Sequence, residues 1–224
     1  MLKKTVKLLI LLVLTYDAAR LFVVFTDSQL RGERAPYVQM QTTDSIIVRW
    51  LTENNHVGVL RYGEDPDHKS SVLIEDSSVR NHSIKLRGLK AGTKYYYRVG
   101  DIGNSQYFDA DRHWFYTTPE ETVPTRIWVM GDSGKAGETQ KQVYQSAFNW
   151  MREHPLDDVD TEGEHRAAVD VWLALGDLAY RSGTNEQFQS ALFEPFEELL
   201  NNTSIWPVYG NHDDRRWTYF RVFD

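Results

Sequence analysis

The sequence contains no cysteine among its 224 residues. This absence excludes a disulfide framework, a thiolate metal site, a cysteine nucleophile and a lipid-modified N-terminal cysteine. Any metal ion must therefore be bound by oxygen and nitrogen ligands. Glycine and proline are also few, with 14 and 7 residues, which excludes collagen-like repeats and low-complexity disorder. The length corresponds to one or two domains.

Positive charge is scarce in the C-terminal half of the chain. Residues 125–224 contain nine Lys or Arg and seventeen Asp or Glu, a net charge of −8, whereas residues 1–34 contain six and three, a net charge of +3. An acidic half of this kind argues against binding to nucleic acid. It also concentrates carboxylates in the region where the candidate site residues occur.

Long hydrophobic runs are limited to the N-terminus, where residues 8–14 follow three lysines. This order is typical of an export signal. Residues 5–25 are long enough to span a bilayer but include Lys7, Asp17 and Arg20, so we do not expect a clean transmembrane helix. We therefore predict that residues 1–34 are a signal peptide or N-terminal anchor with a lead-in. The protein would be secreted, periplasmic or extracellular, with membrane contact only through this anchor, and the alternative is a buried or disordered N-terminus.

Residues 35–119 contain several short segments in which apolar and polar residues alternate, including residues 46–51, 57–59 and 95–99. Period-2 alternation between polar turns predicts an antiparallel β-sandwich. The segment Leu-Lys-Ala-Gly-Thr-Lys-Tyr-Tyr-Tyr-Arg-Val at residues 89–99 resembles the turn and strand that carry the tyrosine corner of fibronectin type III domains. We favour packing over a ligand-stacking platform as the role of these tyrosines.

Residues 120–224 follow a different pattern. Short apolar segments at residues 127–130, 169–175 and 205–209 are separated by helical periodicity over residues 139–153 and 185–200. The pattern predicts a βαβαβ unit with parallel strands, which is part of an α/β domain. In such sheets, sites lie at the carboxyl ends of the strands.

Each of the three apolar segments ends in glycine followed by a side chain that could be an oxygen ligand: Asp132, Asp177 or Asn211. Parallel strands would bring these side chains to one edge of the sheet, and Tyr180 is close enough to Asp177 to reach the same centre. Carboxylates that converge in this way need a cation, or they repel one another and lose hydration. Hard oxygen ligands suit Fe(III), Mn, Mg or Zn. Two such ions together commonly hydrolyse phosphate esters.

Three motifs carry a resemblance to a known family. They are Gly-Asp-Ser-Gly at residues 131–134, Gly-Asp-Leu-Ala-Tyr at 176–180 and Gly-Asn-His-Asp at 210–213. They resemble the first three of the five metal motifs of the calcineurin-like metallophosphoesterases, and more narrowly those of the purple acid phosphatases. Most members have histidine where this chain has Gly134, and they lack the tyrosine of motif two. The order of the two domains, with a fibronectin-like domain ahead of the catalytic domain, is similar to that of the larger purple acid phosphatases.

The resemblance implies a role for each residue. Asp132 and Tyr180 would bind Fe(III), Asp177 would bridge the two metal ions, and Asn211 would bind a second divalent ion of iron, zinc or manganese. The catalytic His212 would face the substrate phosphate and assist the departing alkoxide. The implied activity is that of an acid phosphatase, which hydrolyses small phosphate monoesters through a metal-activated hydroxide.

The chain departs from the family pattern after residue 213. Motifs four and five, Val-x-x-His and Gly-His-x-His, do not occur there. We therefore expect a truncated catalytic domain with weak or no phosphatase activity. A second chain, or His154 and His165 from the acidic loop, could supply the missing ligands. Two alternatives remain: a non-enzymatic fibronectin-like binding protein with a vestigial phosphatase half, and a phosphodiesterase of the same superfamily.

Overall fold

The computed structural model describes residues 2–27, 30–103, 113–155, 168–213 and 216–223. The chain begins with helix α1 (Leu2–Asp27), whose side chains are exposed over residues 4–22. The exposed side chains contradict the alternative of a buried N-terminus over residues 4–22. Nothing in the described ranges forms a helix that is both long and apolar enough to cross a membrane.

An antiparallel β-sandwich follows, as predicted. Its strands are β1 (Arg34–Gln39), β2 (Ser45–Gly63), β3 (Ser71–Arg87), β4 (Lys94–Asp101) and β5 (Trp114–Tyr116). The first part of β2 pairs with β1 and its last part pairs with β4, while β3 pairs along most of its length. The alternating segments at residues 46–51 and 57–59 therefore belong to one long strand. A register shift between Leu51 and His56 interrupts the β2–β3 pairing.

Two of the three tyrosines of β4 pack inward, in agreement with the packing interpretation. Tyr95 and Tyr97 are buried in one apolar cluster with Trp50, Leu60 and Phe115. The hydroxyl oxygen of Tyr95 accepts a hydrogen bond from the Lys90 backbone N–H at 3.0 Å. A tyrosine hydroxyl bonded to the backbone a few residues upstream is the arrangement of a tyrosine corner.

The C-terminal half is the predicted parallel unit. Its elements are β6 (Ile127–Met130), α2 (Glu138–Glu153), β7 (Val171–Leu175), α3 (Asn185–Phe188), a π-helical turn (Gln189–Phe193), α4 (Glu197–Leu200), β8 (Ser204–Val208) and α5 (Tyr219–Val222). Strand β7 lies between β6 and β8 and pairs in parallel with both. The fold is therefore a β-sandwich followed by part of an α/β domain with parallel strands, as predicted.

The single helix predicted over residues 185–200 is wrong in detail, because Pro195 breaks it. Proline has no backbone N–H to donate to the carbonyl four residues earlier, which is that of Ala191. The Gln140 side chain of α2 donates to this carbonyl instead, at 2.6 Å. The apolar residues on both sides of Pro195 do lie in helical turns, but these turns do not form one continuous helix.

The two halves share one continuous sheet. Strand β1 of the sandwich pairs in parallel with β8, with Gln39 opposite Ile205. Tyr37 and Leu51 of the sandwich are buried in the apolar cluster of the C-terminal half. The strand that leads to residues 210–213 is therefore supported on one side by β7 and on the other by the sandwich.

One face of the parallel strands is apolar and open. Ile127 and Val129 on β6, Leu175 on β7 and Val208 on β8 are each more than half exposed. Their alternate neighbours, such as Trp128 and Trp172, face the opposite side and pack against the helices. The described helices thus cover only one face of β6, β7 and β8.

Candidate metal centre

The three predicted ligand positions lie directly after β6, β7 and β8, at one edge of the parallel sheet. Asp132 and Asp177 both adopt left-handed backbone conformations, with φ of 53° and 52°. The Asp132 N–H donates to the Gly176 carbonyl at 3.1 Å, which ties the first turn to the second. Aspartate tolerates this backbone region better than most residues, but such strain is concentrated at functional sites.

The side chains of Asp132, Asp177 and Tyr180 converge. The Tyr180 hydroxyl lies 3.0 Å from Oδ1 of Asp132 and 3.2 Å from Oδ2 of Asp177. A phenol has only one proton to donate, so it cannot make a full hydrogen bond to both carboxylates. The three neighbouring oxygen atoms are suitable ligands for a hard cation, which would attract both carboxylates at once.

The phenol of Tyr180 is held in its protonated form by its surroundings. Desolvation and its hydrogen bond to Asp132, together with the negative charges of Asp177 and Asp132, raise the pKa of Tyr180 to about 12. All of these effects oppose a third negative charge beside the two carboxylates. A bound cation would have the opposite effect and would favour the tyrosinate.

Gly134 allows the first two turns to interlock. Its N–H donates to the Asp177 carbonyl at 2.9 Å, and its carbonyl accepts from the Tyr180 N–H at 2.9 Å. A Cβ atom at this position would lie 2.4 Å from the backbone nitrogen of Ala179. The structure therefore leaves no room for a side chain where most of the superfamily has a histidine.

His212 is fixed beside Tyr180. Its backbone N–H donates to Oδ1 of Asp177 at 3.0 Å, and its ring packs edge-on against the Tyr180 ring with centroids 4.5 Å apart. Nδ1 lies 2.7 Å from the carbonyl oxygen of Arg181. Because a carbonyl can only accept, Nδ1 carries a proton, and Nε2 is left to accept or donate a second one.

Asp213 is a site residue that the sequence reasoning missed. Its carboxylate is buried and accepts hydrogen bonds from the backbone N–H groups of Leu178, Ala179 and Gly210, at 2.9 to 3.1 Å. Burial raises the pKa of Asp213, partly offset by these N–H donors. The sequence indicated this residue only by its position, as the acidic residue that ends the motif Gly-Asn-His-Asp at residues 210–213.

The remaining predicted residues have different placements. Asn211 lies in the same turn as His212, with its side chain exposed. His154 lies at the end of α2, where its ring stacks on Trp150 with centroids 4.6 Å apart, so it is not among the site oxygens. His165 lies outside the described residues. Across the ranges that the structure describes, no three His, Asp or Glu side chains are grouped to hold a metal ion, and Tyr180 supplies the third donor near Asp132 and Asp177.

Comparisons with known proteins assign the two halves of the chain to families. Residues 125–224 match the family described as "Calcineurin-like phosphoesterase", and residues 35–118 match "Purple acid Phosphatase, N-terminal domain". The solved structure of PhoD shares the fold, with a TM-score of 0.53 and 12% identity over 80% of this chain and 38% of that chain. The fold and the matched regions thus define a calcineurin-like phosphoesterase domain behind a β-sandwich.

The similar curated proteins are purple acid phosphatases. Purple acid phosphatase 22 of Arabidopsis thaliana is 25% identical over 200 residues, which are 85% of this chain and 40% of that protein. Purple acid phosphatase 1 of Ipomoea batatas is 23% identical over 184 residues, 77% of this chain and 29% of that protein. The chain is a purple acid phosphatase-like protein of the calcineurin-like phosphoesterase superfamily. It spans about two fifths or less of the length of these relatives.

Proposed function

We propose that this chain carries the first half of a metal-dependent acid phosphatase site that hydrolyses small phosphate monoesters. In this proposal Asp132 and Tyr180 bind Fe(III), and Asp177 binds both Fe(III) and a second divalent ion of iron, zinc or manganese. Asn211 is a further ligand of the second ion. When bound, the two ions supply the Lewis acidity that lowers the pKa of a water molecule and offsets charge on the phosphate.

The observation that carries the proposal is the contact of three oxygen donors from two turns. The hydroxyl oxygen of Tyr180 lies 3.0 Å from an Asp132 oxygen and 3.2 Å from an Asp177 oxygen. The other oxygen of Asp177 faces the third turn, where it accepts the His212 N–H at 3.0 Å. The two oxygens of Asp177 thus point to different turns, which suits a carboxylate shared between two ions.

His212 is positioned to move one proton at Nε2. With Nδ1–H held by the Arg181 carbonyl at 2.7 Å, ring rotation is restricted. The protonated ring would donate Nε2–H to the alkoxide oxygen as it leaves phosphorus. Such positioned proton transfer typically contributes about 10²–10⁴-fold to the rate.

The metal assignment is tested by titrating the chain with Fe(III) supplied as its nitrilotriacetate chelate. A tyrosinate bound to Fe(III) absorbs visible light by charge transfer, so we expect a purple or pink colour. Replacement of Tyr180 by phenylalanine should remove the band and preserve the far-UV circular dichroism spectrum. Tyr209→Phe, which changes an exposed tyrosine at the end of β8, is the matched control.

The colour distinguishes between members of the superfamily. Iron binding without a visible band would replace the purple acid phosphatase assignment with that of a general metallophosphoesterase. A band that persists in Tyr180→Phe and disappears in Tyr209→Phe would show that the wrong phenol was assigned. The complete absence of metal binding would favour a non-enzymatic binding protein that carries a vestigial site.

We expect the chain itself to be a weak or inactive phosphatase, because the second ion has only Asp177 and Asn211 as proposed ligands. The purified chain would be assayed with p-nitrophenyl phosphate from acidic to neutral pH, with iron, zinc and manganese. The control is the double variant Asp177→Ala, His212→Ala. Turnover of ~1 s⁻¹ or more, the low end of ordinary enzymes, that the double variant abolishes would contradict this expectation.

We also propose that the protein is exported. The support is the order of lysines and apolar residues within residues 1–34, and the exposure of helix α1 (Leu2–Asp27) over residues 4–22. Fusion of residues 1–34 to a reporter enzyme that is active only after export is the direct test. A reporter that stays inside the producing cell would contradict export.

A further inference from the structure

Asp213 connects two turns that carry different site residues. Its Oδ1 accepts the N–H groups of Leu178 and Ala179, at 2.9 and 3.0 Å, and its Oδ2 accepts those of Leu178 and Gly210, at 3.0 and 3.1 Å. Leu178 and Ala179 stand between the proposed ligands Asp177 and Tyr180. Gly210 directly precedes Asn211. One carboxylate therefore fixes the distance between the second and third turns.

We propose that Asp213 is a positioning residue, which holds the Asp177–Tyr180 turn and the Asn211–His212 turn in the relative geometry that two metal ions require. This inference rests on the proposed function. The hydrogen bonds of its carboxylate join it to the backbone of these two turns and not to the side chains of the proposed ligands. Within the described ranges it has no ion pair with a basic side chain.

Close backbone packing around Asp213 supports the same role. Gly183, with φ of 62°, has no room for a Cβ, which would lie 2.8 Å from the carbonyl oxygen of Asp213. A Cβ at Gly210 would lie 2.1 Å from Oδ1 of Asp177. The second and third turns are therefore in contact at two glycines, and the carboxylate of Asp213 bonds them together at a third place.

The isosteric variant Asp213→Asn tests the proposal. An amide has one acceptor oxygen and an NH₂ group that can only donate. If the oxygen takes the Oδ1 position, the Gly210 N–H meets a donor, and if it takes the Oδ2 position, the Ala179 N–H does. In either orientation at least one of the two turns loses a bond to residue 213.

Thr203→Val is the matched control. Thr203 is also buried, and its hydroxyl donates to the Val169 carbonyl at 2.8 Å. It immediately precedes the first residue of β8, whereas the site turn follows the last one. Its loss removes a buried hydrogen bond from the same domain without changing the site turns. A reduction in metal affinity that came only from lower stability would appear in both variants.

Two measurements are made on both variants in the full chain. The first is hydrogen exchange of the Ala179 and Gly210 amides without metal. We expect the amide that faces the new NH₂ group to exchange at least ~10-fold faster in Asp213→Asn, and neither amide to do so in Thr203→Val. The Leu178 amide keeps an acceptor in either orientation, because it bonds to both oxygens of Asp213. The second is the dissociation constant for Fe(III), added as its nitrilotriacetate chelate. We expect it to rise about 10–100-fold in Asp213→Asn only, the usual effect of losing a residue that supports metal ligands.

The outcomes separate this inference from the proposed function. Unchanged amide exchange in Asp213→Asn, or equal metal affinity in the two variants, would overturn the positioning role. A wild-type chain that binds no Fe(III) would overturn the proposed metal site. The exchange measurement would then still decide whether Asp213 holds the two turns together.

Discussion

Asp132 and Asp177 keep acidic side chains in a backbone conformation that disfavours them. Both have positive φ, a conformation that glycine adopts at lower energetic cost. Glycine at these positions would relieve strain but would remove the carboxylates that surround the Tyr180 hydroxyl. The chain instead places glycine just before each aspartate, at Gly131 and Gly176. The requirement for an acidic side chain therefore outweighs a backbone cost of about 1–2 kcal/mol per residue.

Stability at alkaline pH is expected to depend on Tyr219, which donates its hydroxyl proton to the Pro207 carbonyl at 3.0 Å. Burial raises the pKa of Tyr219 from 10.0 to about 12. The folded state therefore keeps this proton between pH 10 and 12, whereas the unfolded state loses it. The contribution of roughly 2–3 kcal/mol is complete below pH 10 and is lost as the pH rises towards 12.

Urea unfolding of wild type and Tyr219→Phe from pH 8 to pH 11.5 measures this effect. The free energy of unfolding should fall less steeply above pH 10 in the variant. Tyr16→Phe, which changes an exposed tyrosine of α1, should follow the wild type. Equal slopes for wild type and Tyr219→Phe would exclude a contribution from this phenol.

The positions of Asp132, Asp177 and Tyr180 in the fold could be predicted from the sequence more readily than the contacts that support these residues. Asp132, Asp177 and Tyr180 could be named because a residue at the end of a buried parallel strand has a known place in the sheet. Asp213 could not be given a role, because its partners are backbone N–H groups of residues that only the fold brings near. Hydrogen bonds of this kind leave no pattern in the side chains of the sequence.

At the scale of elements, the sequence predicted strands well where the hydrophobic pattern was uninterrupted. It predicted the helix over residues 185–200 poorly, because a proline lies within it. Strands β6, β7 and β8 lie within one or two residues of the predicted segments. The helix predicted over residues 185–200 instead divides into α3, a π-helical turn and α4. The Gln140 side chain that replaces the missing N–H of Pro195 comes from α2, so its contribution could not be read from the local sequence.

The open apolar face of β6, β7 and β8 leads to a prediction about solubility. Ile127 and Val129 are each more than half exposed, and β6 is the edge strand of the sheet in the part of the chain that the structure describes. Edge strands with exposed apolar side chains promote association between chains. The double variant Ile127→Thr, Val129→Thr keeps residues that favour strands and should reduce aggregation.

Light scattering during incubation at 37 °C and binding of an apolar dye measure this reduction. Ile102→Thr, at another exposed position, is the control. Helix α1 is the same in all of these proteins, so differences between them report on the sheet face. Equal aggregation of the double variant and the wild type would show that this face is not responsible.

At the scale of the whole molecule, the sandwich and the α/β half are joined more closely than two separate domains would be. Arg34 at the start of β1 is buried and donates to Gln189 and Asn185 at 3.0 and 2.9 Å. The Tyr97 hydroxyl donates to the Asn201 carbonyl at 2.8 Å. These contacts add to the pairing of β1 with β8. The separability of residues 35–119 nevertheless stays a prediction, because the sandwich has its own apolar cluster around Trp50 and Phe115.

The substitution Leu51→Ala tests this relation in two settings. In the whole chain Leu51 is buried in the cluster of the C-terminal half, so its truncation should cost roughly 2–5 kcal/mol. In the isolated fragment 35–119 that cover is absent, and we expect the same change to cost less than ~1 kcal/mol. Far-UV circular dichroism and thermal melts of both proteins provide the measurement. An unfolded or helical fragment would contradict the domain boundary, and equal costs would contradict the shared core.

The absence of a side chain at Gly134 constrains how such a site can evolve. A Cβ there would lie 2.4 Å from the Ala179 backbone nitrogen, so even alanine would force the first two turns apart. A lineage with this geometry cannot acquire the superfamily's usual histidine by one substitution, because the turn that carries Tyr180 must move in the same step. A side chain at position 134 therefore requires a different backbone path for residues 177–179, whichever residue occupies position 180.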